Sequence, residues 1–300
     1  MNDGAPVAGT MVGVGGEHLR TLIWEPGGDL SGKVVIVHGL GEHAGRYVHV
    51  ARHLAGRGFG VLGFDLRGHG ESEGRRGVLG SFDELMEDLH LARDVAERRL
   101  SGETPPFLYG HSLGALVVIR YLQTYRSRTP GAVLSAPWLR TAVDIPWWKR
   151  AAARLLLPVA PDTPLSSSEL DPTLLSGDPA VQEAWLRDPL VHHRLSPGSF
   201  HEILGAQARA LEQGIDPAVP TLVLVPTEDG LTDGRVSMEW ARAVKGGHVS
   251  VVELDGFRHE PHNDLGREEV LDTIASWLAD RGVVRPPGGL GVHGRSPGDG

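Results

Sequence analysis

Short runs rich in β-branched and aromatic residues alternate with longer amphipathic runs along most of this chain, and that alternation constrains the fold more than any single residue does. Strands are expected at 20–24, 33–37, 60–64, 106–109, 132–135, 221–225 and 249–254, and helices at 45–57, 82–100, 113–126, 200–212, 236–244 and 267–281. Strands separated by helices of this length pair in parallel through right-handed crossovers, which gives an α/β fold whose mostly parallel central sheet is flanked by helices. Reactive groups then gather at the carboxyl ends of the strands. The rhythm breaks over 138–197, where prolines interrupt short helical pieces, yet Trp147-Trp148, Leu155-Leu156-Leu157 and Trp185 are too apolar for a solvated loop. That segment is expected to be a helical cap, or lid, inserted into the core. The expected division is a loose N-terminus over 1–14, core over 15–137, the cap over 138–197, core again over 198–283 and a flexible tail over 284–300. The tail is rich in glycine and proline and has no hydrophobic period.

Composition narrows the function. With 300 residues, 40% of them hydrophobic, the chain can bury a sizeable core. Its uninterrupted apolar runs fall far short of the roughly 18 residues a membrane span needs. A net charge of −9 with no block of Lys or Arg argues against nucleic acid as the main partner. The absence of cysteine removes disulfides, thiolate metal sites and a Cys nucleophile together. The opening Met1-Asn2-Asp3-Gly4 lacks the basic and apolar stretches of a signal peptide, so the cytoplasm is the expected compartment. Two coincidences carry little. Residues 27–33 have Walker A spacing, but Val34 replaces the Ser/Thr and a strand follows where a helix must. His49 and His53 have the i, i+4 spacing of a zinc peptidase helix, but Val50 stands where the general-base Glu belongs. Neither a metal nor any other cofactor is expected, and the oligomeric state is open.

The pattern Gly-x-Ser-x-Gly occurs three times, around Ser72, Ser112 and Ser296. Its chemistry needs a buried strand, a sharp turn and then a helix, so that Ser Oγ is exposed beside a helix N-terminus. Only Ser112 meets that requirement, between the apolar Pro106-Phe107-Leu108-Tyr109 and Leu113-Gly114-Ala115-Leu116. Ser72 sits in a charged glycine loop, and Ser296 sits in the tail with a proline after it.

A nucleophilic serine on such a turn takes its acid and then its base from loops after later strands. Asp229 follows the strand at 221–225, with Glu228 and Asp233 as neighbouring alternatives. His259 follows the last strand, with His262 three residues on as the understudy. An oxyanion hole needs two preorganised backbone N–H groups. Leu113, after the nucleophile, and Leu40, in the turn His38-Gly39-Leu40-Gly41 after an early strand, are the candidates, while His38 itself reads as a brace for that loop.

These residues resemble the monoacylglycerol lipase and lysophospholipase-like branch of the α/β-hydrolase superfamily. The family's H-G-x-G-E-H-x-x-R-Y is similar to residues 38–47, its D-x-R-G-H-G-x-S-x-G to 65–74, and its G-H-S-M-G-G to 110–115. D-P-L-V-H matches 188–192, and the closing H-E-x-x-N-E resembles 259–264. The likeness runs from about residue 15 to 282. Leu113, Ala115 and Asp264 replace the family's Met, Gly and Glu, and Pro226 stands where it has glycine. The resemblance implies an α/β-hydrolase fold and favours His259 over His262, because the first histidine of the closing motif is the catalytic one.

The Ser, His and Asp candidates predict hydrolysis through an acyl-enzyme, and the resemblance implies a serine carboxylic-ester hydrolase acting on a small lipid ester, a monoacylglycerol or a lysophospholipid. Trp147, Trp148 and Leu155 of the cap are candidates for an acyl-chain site, and the cap is a candidate for transient contact with a membrane surface. The rivals are a ligand-binding relative without hydrolytic activity and a peptidase or amidase on the same fold.

Overall fold

The computed structural model describes residues 5–282 except 127, 144–145, 167–169, 216–217, 245 and 247. The expected tail at 284–300, with Ser296, lies outside the described residues. In chain order the strands are β1 Val7–Val12, β2 His18–Trp24, β3 Gly32–Val37, β4 Phe59–Phe64, β5 Phe107–His111, β6 Ala132–Ser135, β7 Leu165–Ser166, β8 Arg194–Leu195, β9 Thr221–Pro226 and β10 Val249–Leu254. The helices are α1 Val48–Ala55, α2 Phe82–Arg99, α3 Leu113–Thr124, α4 Trp147–Leu156, α5 Pro179–Arg187, α6 Pro197–Glu212, α7 Gly234–Ala243 and α8 Arg267–Gly282.

Eight strands make one sheet in the order β1-β2-β4-β3-β5-β6-β9-β10. From β4 to β10 every neighbouring pair is parallel, and only β1/β2 and β2/β4 are antiparallel. All seven strands expected from the sequence are present. The fold is therefore an α/β-hydrolase sheet in which β4, β3, β5, β6 and β9 are buried on both faces, as their unbroken apolar runs require. Along β3, Val35 and Val37 face the layer built by α2, α3, α6 and α7, while Val34 and Ile36 face the layer of α1 and α8. Each fully buried Val or Leu in these layers contributes about 1.5–3 kcal/mol relative to exposure. α2 starts where Ser81 and Glu84 form a capping box, the side chain of each bonding the backbone N–H of the other.

One expectation fails. The segment 1–14, read as loose, contains β1, which pairs with β2 from Val7↔Ile23 to Val12↔His18. Only Met11 of β1 is buried, so the strand is held by its main-chain ladder and leaves no period-2 hydrophobic pattern to read.

Between β6 and α6 lie α4, α5 and the small β7/β8 pair, the helical insertion over the sheet's carboxyl edge. α6 begins at Pro197 rather than at 200, because Ser196 accepts from the Ser199 N–H as N-cap and proline occupies the first turn. No helix among the described residues is long and apolar enough to cross a membrane.

Candidate active site

The strand β5 runs to His111, and α3 starts at Leu113. The whole reversal falls on Ser112, which has φ 51° and ψ −113°. This left-handed conformation costs a non-glycine residue about 1–3 kcal/mol and persists only when the surroundings enforce it. Here the Ser112 N–H donates to the Ser135 carbonyl (3.0 Å), and its own carbonyl accepts from Leu116 (3.1 Å) and Trp138 (3.2 Å). Its side chain makes no capping bond to α3. The two flanking glycines are needed for close approach. A Cβ on Gly110 would lie 2.5 Å from the Gly114 carbonyl oxygen, and one on Gly114 would run into the carbonyls of Val37 and His38.

Asp229 and His259 come together from the loops after β9 and β10. The His259 Nδ1–H donates to Asp229 Oδ2 at 2.9 Å. Asp229 is held in turn by the N–H groups of Leu231 (2.8 Å) and Thr232 (3.0 Å) on Oδ1 and by the Thr232 hydroxyl on Oδ2 (2.6 Å). Burial alone would raise the Asp229 carboxyl, but the His259 ring and the bonds from His259 and Thr232 outweigh it and bring it down to about 2. Burial opposes the charge on His259, and Asp229 overcomes this and raises it. With Nδ1 engaged, Nε2 on the far side of the ring is the nitrogen left for a serine. Ser112 and His259 both line one cavity.

The alternatives fall elsewhere. Glu228 is exposed, and Asp233 caps α7 through the Arg235 N–H. His262 is fully buried, stacked on Tyr47 at 4.7 Å, and is absent from the cavity wall. Ser72 Oγ donates to the Asp65 carbonyl and accepts from the Arg20 N–H, so it serves the loop.

Leu113 is the first residue of α3, where backbone N–H groups have no intrahelical partner. Leu40 lies in the turn after β3 and lines the cavity. His38 is a brace, as read from the sequence. Its Nε2 accepts from the Leu66 N–H (2.9 Å), so the proton sits on Nδ1 and is donated to the Gly39 carbonyl (2.7 Å). That carbonyl and the Leu40 N–H share one planar peptide and point opposite ways, so fixing one aims the other.

Sequence reasoning gave no role to the charged cluster behind the turn. Glu42 accepts from the Gly39 N–H (2.6 Å), and Arg46 bridges Glu42 and Glu260, next to His259. The i, i+4 spacing of Glu42 and Arg46 was the available signal. His111 was also passed over. Its ring centre is 4.8 Å from that of His259, and burial, then the neighbouring His259, push it down to about 4, so it stays neutral.

The cavity is ≈ 650 Å³ and is walled largely by apolar side chains, Trp138, Leu175, Trp185, Leu195 and Phe200 among them. Of the three cap residues expected to contact substrate, only Trp148 lines it, together with Ala152 one helical turn on. Trp147 and Leu155 lie on the outer side of α4, 79% and 76% exposed. They read as substrate-binding from the sequence because an apolar helical residue is usually an inward one.

The profile of the family described as Serine aminopeptidase, S33, matches residues 28–266. The chain is 32% identical over 270 residues to the monoacylglycerol lipase of Mycolicibacterium smegmatis, covering 90% of this chain and 95% of that protein. It is 31% identical over 267 residues to an uncharacterized abhydrolase domain-containing protein of Dictyostelium discoideum, covering 88% of this chain but spanning only 28% of that longer protein. Among solved structures, the monoacylglycerol lipase of Paleococcus ferrophilus matches with a TM-score of 0.79 at 36% identity, over 88% of this chain and 99% of that one.

Proposed function

Because the chain belongs to the serine aminopeptidase S33 family of α/β-hydrolases, we propose that it hydrolyses carboxylic esters of single acyl chains, monoacylglycerols or lysophospholipids, with Ser112, His259 and Asp229 as its triad. The observation that carries this reading is one apolar cavity of ≈ 650 Å³ with Ser112 and His259 on its wall. Such a cavity suits an acyl chain, with a few polar groups to orient the ester. His259 Nε2 takes the proton of Ser112 Oγ as the oxygen attacks the ester carbonyl. The N–H groups of Leu40 and Leu113 receive the negative charge that develops on the carbonyl oxygen. The protonated His259, steadied by Asp229, returns its proton to the leaving alcohol, and water then cleaves the acyl-enzyme with His259 again as base.

The family's description raises aminopeptidase activity as the second reading. An aminopeptidase needs a carboxylate free to hold the substrate ammonium. Among the described residues the carboxylates on the cavity wall are Glu42 and Glu260, and both are engaged by Arg46. Monoacylglycerols and lysophospholipids are therefore expected to exceed aminoacyl anilides in kcat/KM by about a hundredfold or more, since a missing ionic anchor is not replaced by apolar contact. A preference for the anilides in a side-by-side assay would overturn the ester reading.

The outer face of α4 is the part of this proposal that concerns a membrane. Trp147, Leu155 and the nearby Val159 are exposed alongside Arg150 and Arg154, the pairing of apolar and basic groups that settles into a lipid headgroup region. Replacing both Trp147 and Leu155 with Ser should weaken sedimentation with anionic phospholipid vesicles by about tenfold or more, since each buried side chain is worth about 1.5–3 kcal/mol. Hydrolysis of a short soluble ester should change little. Unaltered vesicle binding would remove α4 from the contact.

A further inference from the structure

We propose that Arg46 is a positioning residue: by bridging Glu42 and Glu260 it locks the turn that carries the Leu40 N–H to the loop that carries His259, and its cation balances the two carboxylates beside that histidine. The proposal rests on the triad reading above. Its ground is an unbroken chain of hydrogen bonds. Glu42 Oε1 accepts from the Gly39 N–H (2.6 Å) and the Tyr47 hydroxyl (2.7 Å), and Oε2 accepts from Arg46 Nη1 (2.9 Å). Arg46 Nη1 and Nη2 each donate to one oxygen of Glu260, both at 2.7 Å, and Asn263 Nδ2 donates to Glu260 Oε2 (2.8 Å). The Arg46 side chain is 9% exposed and each carboxylate side chain 4%.

A buried cluster of one cation and two carboxylates is a poor way to gain stability, because desolvation offsets most of the attraction. What it provides is geometry. The planar guanidinium fork fixes Glu260 along two directions, and through Glu42 it fixes the His38–Gly39 peptide, the one preceding the peptide that carries the Leu40 N–H. Two elements far apart in sequence, 39–42 and 259–260, thus hold one register across the space where the ester must sit. Burial pushes the Glu260 carboxyl up, and Arg46 outweighs it and brings Glu260 to about 2.

The electrostatic half has a definite sign. The groups around His259 are Asp229, Glu260 and Glu42, which favour its protonated form, and the rings of His111 and His262, both pushed down by burial first. Arg46 offsets Glu42 and Glu260. A general base works in its neutral form, so kcat/KM falls as pH drops through its pKa. Removing the Arg46 cation leaves two unbalanced carboxylates, which favours protonated His259 and moves that acid limb to higher pH. Removing the Glu260 charge moves it lower.

Three variants of the full chain separate the two roles. Arg46→Lys keeps the charge but loses the fork, so kcat should fall about tenfold or more with KM within about twofold, and the acid limb should stay in place. Arg46→Met should move the limb up, and Glu260→Gln should move it down, each by about half a unit or more. If Arg46→Met does not fold, the other two decide the matter. Wild-type kcat in Arg46→Lys, or an acid limb that Glu260→Gln leaves unmoved while only the melting temperature drops, would overturn the proposal and leave a packing role. Failure of the triad reading would look different, since the wild-type protein itself would then escape labelling by a fluorophosphonate.

Discussion

Ser112→Ala is expected to lower ester hydrolysis by about 10⁴-fold or more while leaving the fold intact. The size follows from what is lost. Without Oγ the proposed acyl-enzyme could not form, and what would remain is water attack assisted by binding and by the N–H groups of Leu40 and Leu113, the proposed oxyanion hole. The preserved fold follows from the local structure. Alanine keeps the Cβ, so the strain at φ 51° is unchanged, and the three bonds that enforce the turn are all backbone bonds. The serine oxygen makes no capping bond to α3, so its removal orphans no partner there. The measurement is kcat/KM beside a thermal melt and fluorophosphonate labelling. Loss of rate and of labelling with an unchanged melting temperature is the expected result, and hydrolysis near the wild-type rate would remove Ser112 as nucleophile.

Much of this site is legible in the sequence because its geometry is local. A strand, a serine between two glycines and a helix lie within one short run, so periodicity alone separates Ser112 from Ser72. Asp229 and His259 are legible as positions, each in the loop after a late strand, but their pairing is a tertiary fact. So is the cluster of Glu42, Arg46 and Glu260: Arg46 and Glu260 are 214 residues apart in sequence, and no pattern of hydrophobicity marks them. β1 escapes for a different reason. A strand that buries a single side chain is specified by backbone bonds, which have no sequence code. On α4 the physical rule itself points the wrong way for Trp147 and Leu155, since apolar residues read as inward unless something other than water meets the outer face.

Asp229→Asn should be nearly as damaging as loss of the serine, at about 10⁴-fold in kcat, although it changes one atom and no charge in the serine or histidine. The reason lies in the donors around the carboxylate. Oδ1 accepts from two backbone N–H groups, those of Leu231 and Thr232, which can only donate. An asparagine at this position must therefore place its carbonyl oxygen there, because its amide nitrogen would face two donors with donors of its own. The amide nitrogen then occupies the place of Oδ2, 2.9 Å from His259 Nδ1, and donates to it. Nδ1 becomes an acceptor, the ring proton moves to Nε2, and the nitrogen proposed to accept the Ser112 proton already carries one. The same change removes the negative charge that raises His259, so the acid limb of the pH profile should shift lower even as the rate collapses. Nitrogen-15 spectra of the histidine rings distinguish this account from simple loss of structure. They should report a proton on Nδ1 of His259 in the wild type and on Nε2 in the variant, at unchanged melting temperature. A variant that keeps the Nδ1–H form, or more than about a tenth of the wild-type kcat, would show that Asp229 does not set the tautomer.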